Sequence, residues 1–162
     1  MRLPKIKVGF GFDVHPLVVD HPFYLGGKHL ESDKGAMGHS DADVLIHAIC
    51  DALLGAANLR DIGYHFSNKD SKWAGIRSTI FLEEVMLLLK KEGFMIGNID
   101  ATICLESPKV NPHIPEMQEI MSQSLGIEAS QISIKATTNE KLGFIGREEG
   151  VTAYAVALIF SE

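Results

Sequence analysis

No stretch of this sequence approaches the roughly 20 consecutive apolar residues that a membrane-spanning helix needs. Its opening residues also lack the apolar core and small-residue cleavage site of a secretory signal. These absences point to a soluble, cytoplasmic chain with no membrane partner. Positive charge is also scarce. Fifteen Lys plus Arg against 21 Asp plus Glu leave a formal charge of −6, so no broad basic surface is available to neutralise a nucleic-acid backbone. That disfavours a nucleic-acid partner and leaves room for a small phosphorylated ligand. Cysteine is almost absent. Cys50 and Cys104 lie far apart, each inside an apolar segment, which excludes a disulfide framework and suits a reducing compartment. There is no P-loop, and Gly9-Phe10-Gly11 is not a dinucleotide fingerprint. No repeat, low-complexity tract or Pro/Ser-rich linker divides the chain, so a single domain over residues 1–162 is expected.

What remains is a chain that is 46% hydrophobic, ample for a core. Ile6 to Phe12 is rich in strand formers, interrupted by glycine where something approaches the backbone closely, and ends in Asp13-Val14-His15. Phe23 to Leu25 and Lys28 to Leu30 flank Gly26-Gly27, a hairpin signal. Ser40-Asp41-Ala42-Asp43 predicts a helix start, with Ser40 as the cap and Asp43 completing a capping box, and the helix running to about Ala57. Asn58 to Gly75 reads as a polar loop containing a mobile lid. Leu82, Val85, Met86 and Leu89 recur at helical spacing before Gly93, and Ile114 to Leu125 forms a further helix that stops at Gly126. Ile99, Ala101, Ile103 and Leu105 alternate with Asp100, Thr102 and Cys104 as in a strand. Ile132 to Thr137 and Val151 to Phe160 supply two more. The order predicts an α/β (α+β) fold: a mixed four- to five-stranded sheet with helices on one face and a small hairpin. The last strand is apolar on nearly both faces, so the second sheet face is expected to be buried by other subunits.

Asp13 and His15, two apart on a strand, project from one side. Asp43, His47 and Asp51 fall at i, i+4 and i+8, a single polar stripe on an otherwise apolar helix. Buried ionisable groups need partners. One carboxylate and two imidazoles, from Asp13, His15 and His47, form a ligand set suited to zinc with a position left open for a substrate oxygen. Asp43 or Asp51 would then orient His47 from behind. The same residues also admit a core histidine satisfied by Asp43 or Asp51, with Asp13 and His15 as loop polar groups. Lys135 to Lys141 offers hydroxyls for phosphate oxygens and, at Glu140, a carboxylate for a hard divalent ion, or else a solvated turn. His39 and the free amides after it could face an anion. Glu106 to Pro115 is a proline-set connection whose amides could read a flat base.

Gly11-Phe12-Asp13-Val14-His15, His39-Ser40-Asp41-Ala42-Asp43, His47 to Ala56, Asp61-Ile62-Gly63, Pro108-Lys109, Pro112 to Pro115 and Lys135 to Phe144 together resemble, in order and spacing, the family of 2-C-methyl-D-erythritol 2,4-cyclodiphosphate synthases. The resemblance implies a phosphorus-oxygen lyase of non-mevalonate isoprenoid synthesis. Such an enzyme closes the cyclic diphosphate of a CDP-linked substrate and releases CMP. A homotrimer with active sites between subunits is implied as well. By position, Asp13, His15 and His47 would hold zinc, and Glu140 magnesium or manganese. His39 and Thr138 would stabilise the transition state. Ser40 would contact the methylerythritol part, and Asp61, Ile62 and Gly63 the sugar hydroxyls. Leu105, Glu106, Ser107, Pro108, Lys109, Val110, Asn111, Thr137 and Asn139 would cradle the CDP arm, with Phe66, Ser67, Asn68, Lys69 and Asp70 as the flap. Phe144 and Arg147 would line an apolar cavity on the trimer axis, able to admit an isoprenoid diphosphate. Two departures stand out: Asn139 where the family often has Thr or Ser, and Glu148 where Gly is usual. A zinc phosphohydrolase and a non-catalytic nucleotide-binding trimer share parts of the pattern.

Overall fold

The computed structural model describes residues 5–67 and 69–161. In chain order the elements are β1 (Lys5–Val19), β2 (Phe23–Leu25), β3 (Lys28–Leu30), β4 (Lys34–Ala36), α1 (Val44–Ala56), α2 (Ile62–His65), α3 (Thr79–Lys91), β5 (Met95–Cys104), α4 (Ile114–Leu125), β6 (Ile132–Thr137), α5 (Gly143–Gly146) and β7 (Gly150–Ser161). The main sheet has the order β4-β1-β7-β5-β6. β7 sits at its centre, antiparallel to β1 from Lys5↔Ser161 to Pro16↔Gly150 and antiparallel to β5 on its other side. Only β5 and β6 run parallel, joined by α4 as their crossover. The mixed sheet matches the sequence expectation.

The period of two sorts β1 cleanly. Gly9, Gly11, Asp13 and His15 turn toward α1, whereas Ile6, Val8, Phe10, Phe12 and Val14 face away and are exposed. On β7, Val151, Ala153, Ala155, Ala157 and Ile159 are buried, while Tyr154 and Val156 share the open face. Small residues on the covered face let α1 lie almost on the sheet. A Cβ at Gly11 would come within 1.9 Å of the Ala48 carbonyl oxygen, and one at Gly9 within 1.9 Å of that of Ala52. Leu45, Ile46, Ile49, Leu53 and Leu54 of α1 are fully buried, each stabilising the fold by about 1.5–3 kcal/mol. α3 packs on α1, and α4 on α3 and β6.

The hairpin turns at Gly26 and Gly27, with φ of 58° and 80°, the two left-handed residues of a type I′ turn. α4 stops at Gly126 with φ 65°, as predicted. Two local readings are corrected, and one element was missed. α1 is capped by Asp43, whose carboxylate accepts from the Ile46 amide, because Asp41 is drawn away to the start of α3 and Ser40 toward His47. The stretch from Asn58 to Gly75 is not all loop: it contains α2 and a 3-10 turn at Ser71–Trp73. The three-residue β4 was too short to leave a periodic signal.

Candidate active site

Asp13 and His15 leave β1 on the face that meets α1, and His47, one turn into that helix, points back at them. Asp13 Oδ2 lies 2.9 Å from His15 Nε2 and 2.9 Å from His47 Nδ1, and the two imidazole nitrogens are 3.1 Å apart. Three ligand atoms in a triangle of that size approach the spacing of about 3.3 Å that a tetrahedral ion with bonds of about 2.0 Å requires. Among the described residues this is the group of His and carboxylate side chains able to hold a metal ion. Burial pushes the Asp13 carboxyl up, but hydrogen bonds and charge from His15 and His47 prevail and hold it at about 2. Burial likewise pushes the His47 imidazole down, and the Asp13 carboxylate outweighs it, so His47 is raised. A carboxylate kept charged between two imidazoles is the donor chemistry a divalent cation would take over.

The triad floors a cleft of about 180 Å³, with His39, Ser40, Ile62 and Gly63 on its rim and Phe66, Trp73 and Phe81 as its apolar wall. Phe66 is buried, stacked on Phe81 at 4.7 Å and edge-on to Trp73, so it is part of the wall rather than of a loose flap. Asp61 caps α2 by accepting from the Tyr64 amide. Ser67 accepts from the Lys69 amide and Asp70 from that of Lys72, both at the surface. Asn68 lies outside the described residues.

Neither carboxylate expected behind His47 reaches its ring. Asp43 is fully buried and committed to the amides of Gly26, Gly27 and Ile46. Its carboxyl is raised by burial and by Asp41, against the pull of those amides. Asp51 accepts from the Ile62 amide. The ring nitrogen Nε2 instead faces Ser78 Oγ at 2.9 Å and Ser40 Oγ at 3.2 Å. Ser78, Trp73 and Phe81 had no part in the sequence reading: Trp73 and Ser78 lie between the recognisable blocks, and Phe81 is one more apolar residue of the α3 pattern.

The residues expected to hold the CDP arm gather elsewhere. Leu105, Glu106, Pro108, Lys109, Val110, Asn111, Thr137 and Thr138 line a second cleft of about 110 Å³ beyond the ends of β5 and β6, and the Ser107-Pro108 peptide there is cis. Glu106 braces its far wall, accepting from the amides of Asn139 and Lys141 and pairing with the Lys141 ammonium. Between those two amides Glu140 has φ 51° and takes the Thr138 hydroxyl at 2.8 Å. The two clefts share no lining residue. Phe144 and Arg147 belong to neither. Both are exposed, Phe144 lying against Gly150 of β7 and Arg147 paired to Glu149. Glu148 has φ 56°, which explains why glycine suits that position.

Comparison with known proteins agrees with this fold. The chain matches the YgbB family over residues 6–160. It is 61% identical over 155 residues to the 2-C-methyl-D-erythritol 2,4-cyclodiphosphate synthase of Cytophaga hutchinsonii, covering 96% of this chain and 98% of that one. It is also 61% identical over 161 residues to the enzyme of the same name from Porphyromonas gingivalis, covering 99% of each. The solved IspF (Plasmodium falciparum) CDP complex superposes with a TM-score of 0.86 at 33% identity, over 97% of each chain. Matched over nearly its whole length, the chain belongs to the YgbB family, whose relatives compared above are 2-C-methyl-D-erythritol 2,4-cyclodiphosphate synthases.

Proposed function

We propose that this chain converts 4-diphosphocytidyl-2-C-methyl-D-erythritol 2-phosphate to 2-C-methyl-D-erythritol 2,4-cyclodiphosphate with release of CMP. The observation that carries the reading is the convergence of Asp13, His15 and His47 from two separate elements on one point beside a phosphate-sized cleft. In the reaction an oxygen of the 2-phosphate attacks the β-phosphorus, the bond from that phosphorus to the α-β bridging oxygen breaks, and CMP leaves with the bond's electron pair. Attacker and target belong to one molecule, so holding them aligned lowers the barrier by several kcal/mol without a covalent intermediate.

Each group has a place in that scheme. Asp13, His15 and His47 would hold zinc, and Glu140 magnesium or manganese. Bound there, the ions would screen the charge that collects on the phosphates. His39 and Thr138 would donate to the oxygens that gain charge. Ser40 would fix the methylerythritol part, and Asp61 and Gly63 the sugar hydroxyls, while the cleft from Leu105 to Asn111, with Thr137, seats the CDP arm. Phe66, Trp73 and Phe81 keep water from one side of the reacting phosphates.

A homotrimer is part of the proposal, with each active site assembled from the metal cleft of one subunit and the nucleotide cleft of the next. Two features support it: the separation of the two clefts within a single chain, and the bare apolar face of β1 and β7, where Ile6, Val8 and Phe10 are each over 60% exposed. Phe144 and Arg147 would line the axial cavity and admit an isoprenoid diphosphate. The reading places the whole chain in one catalytic domain of the cytoplasm. Among the described residues no helix is long and apolar enough to cross a membrane.

The test is turnover of the diphosphocytidyl substrate followed by phosphorus NMR, before and after zinc removal. Stoichiometric CMP and cyclic diphosphate, lost on chelation and restored by zinc, are expected. Linear phosphates as the main products would instead identify a phosphohydrolase, and tight CDP binding with no turnover a nucleotide-binding trimer.

A further inference from the structure

His47 has two ring nitrogens, and the chain spends effort on both. Nδ1 faces Asp13 and His15. Nε2 lies 2.9 Å from Ser78 Oγ, and the Ser78 hydroxyl is hydrogen-bonded onward to Asp41 Oδ1. Ser78 is fully buried, and the Asp41 side chain is only 4% exposed. The other Asp41 oxygen accepts from the Ser78 amide at 2.9 Å and from Arg77 Nε at 3.1 Å. Asp41 is also tied by its backbone: its amide donates to the Ile76 carbonyl, while the Gly75 amide donates to that of His39. The segment of residues 39–41 is thus laced to the start of α3.

One detail separates this network from routine capping. Ser78 occupies the N-cap of α3, where a serine hydroxyl ordinarily bonds to its own helix. Here it makes no such bond; it is turned toward His47, while the Ser78 amide donates to Asp41. A neutral imidazole carries one N–H. With the Ser78 hydroxyl donating to Asp41, Ser78 Oγ has only lone pairs to offer Nε2, so the imidazole hydrogen is fixed on Nε2. The unprotonated nitrogen is then Nδ1, the atom in the Asp13-His15 triangle.

We infer that Ser78 and Asp41 are positioning residues for His47, a hydroxyl-carboxylate relay that sets the imidazole's tautomer and orientation so that Nδ1 is free to bind a cation. The inference rests on the proposed metal role of the triad. The relay acts on a ligand's far side, where partners of this kind change metal affinity by about 10- to 100-fold. Ser40, at 3.2 Å from Nε2, is the weaker partner: it is farther away and has no carboxylate behind it.

The test uses the full-length protein and zinc itself. Ser78→Ala removes the acceptor and should weaken zinc binding about 10- to 100-fold in chelator competition, while Ser78→Thr keeps the hydroxyl and should restore most of it. Asp41→Asn retains shape but not the charge that draws the Ser78 proton, and should also weaken zinc binding. A second readout needs neither metal nor turnover: nitrogen-15 NMR of the His47 ring in chelated protein at alkaline pH. Wild type should show the Nε2–H tautomer, and Ser78→Ala a mixture. If Ser78→Ala fails to fold by circular dichroism, Asp41→Asn and Ser78→Thr decide the matter. Zinc affinity within twofold of wild type in the folded variants, with an unchanged tautomer, would overturn the inference. Wild-type protein that binds no zinc would sink the proposed function, and the tautomer would still decide whether the relay exists.

Discussion

Substituting alanine at Gly11 tests whether the close seat of α1 on β1 builds the proposed metal site. The added Cβ would lie 1.9 Å from the Ala48 carbonyl oxygen and 2.7 Å from the Ala52 amide nitrogen, both helix backbone that no rotamer change can move. A carbon-oxygen contact requires about 3.3 Å, so helix and strand must separate locally by about 1.4 Å. His47 precedes Ala48 on that helix, and Asp13 follows Gly11 by two residues. The same displacement therefore opens the triad, whose ligand distances tolerate only about 0.2 Å. Overpacking of this kind costs about 1–3 kcal/mol, roughly a 5 °C fall in Tm at this chain length. Zinc affinity should fall about 100-fold or more, in line with the cost of a misplacement near 1 Å. The assays are calorimetry and chelator competition, with Gly55→Ala as the control. A Cβ at that exposed position of α1 meets nothing within 4 Å, and alanine there should raise stability by up to about 1 kcal/mol without changing zinc binding. A Gly11→Ala protein with zinc affinity within twofold of wild type and an unchanged Tm would refute the argument.

His47→Ala should abolish zinc binding and turnover while the far-ultraviolet circular dichroism stays native; an unfolded product would mark His47 as a core residue first and a ligand second. Zinc binding should also depend on pH with a definite sign. His47 is raised above its ordinary 6.5 by Asp13, prevailing over burial, so in the metal-free protein the proton competes for it from above that pH downward. Apparent zinc affinity should therefore fall as pH is lowered from 8 to 6, with Asp13, held at about 2, still charged throughout. Isothermal titration across that range showing a flat affinity would contradict the coupling. Glu148→Gly should stabilise the protein by about 0.5–1 kcal/mol, since relief of a left-handed side-chain penalty of about 1–2 kcal/mol exceeds the added freedom of the unfolded chain. Urea denaturation measures it, and a loss of stability would show that the bond from Lys34 to the Glu148 carbonyl depends on the side chain.

How much of this was legible beforehand depends on range. The hairpin at Gly26-Gly27, the stop at Gly126 and the bounds of α4 and β6 follow from chemistry confined to a few neighbouring residues, and the structure agrees with them. So does the placement of Asp13 and His15 on one side of β1, which needs only a period of two. The partner of His47 was misread because the i, i+4 stripe points along the helix to Asp43 and Asp51, whereas the imidazole looks across to α3. Only the tertiary fold brings Ser78, 31 residues away, to that nitrogen. The helix start was misplaced for a related reason: three oxygen-bearing side chains, Ser40, Asp41 and Asp43, compete for the cap, and their contacts to His47, Ser78 and the hairpin decide the winner.

The two-residue period of β1 has a consequence for errors in folding. Odd positions carry Asp13, His15 and the glycines under α1; even positions carry the large apolar groups of the bare side. A slip by one residue against β7 would drive Phe10 and Phe12 into the helix and throw Asp13 and His15 outward. Mispaired chains therefore forfeit their chemistry and their greasy outer surface in a single stroke, which leaves no well-formed but inert product to accumulate.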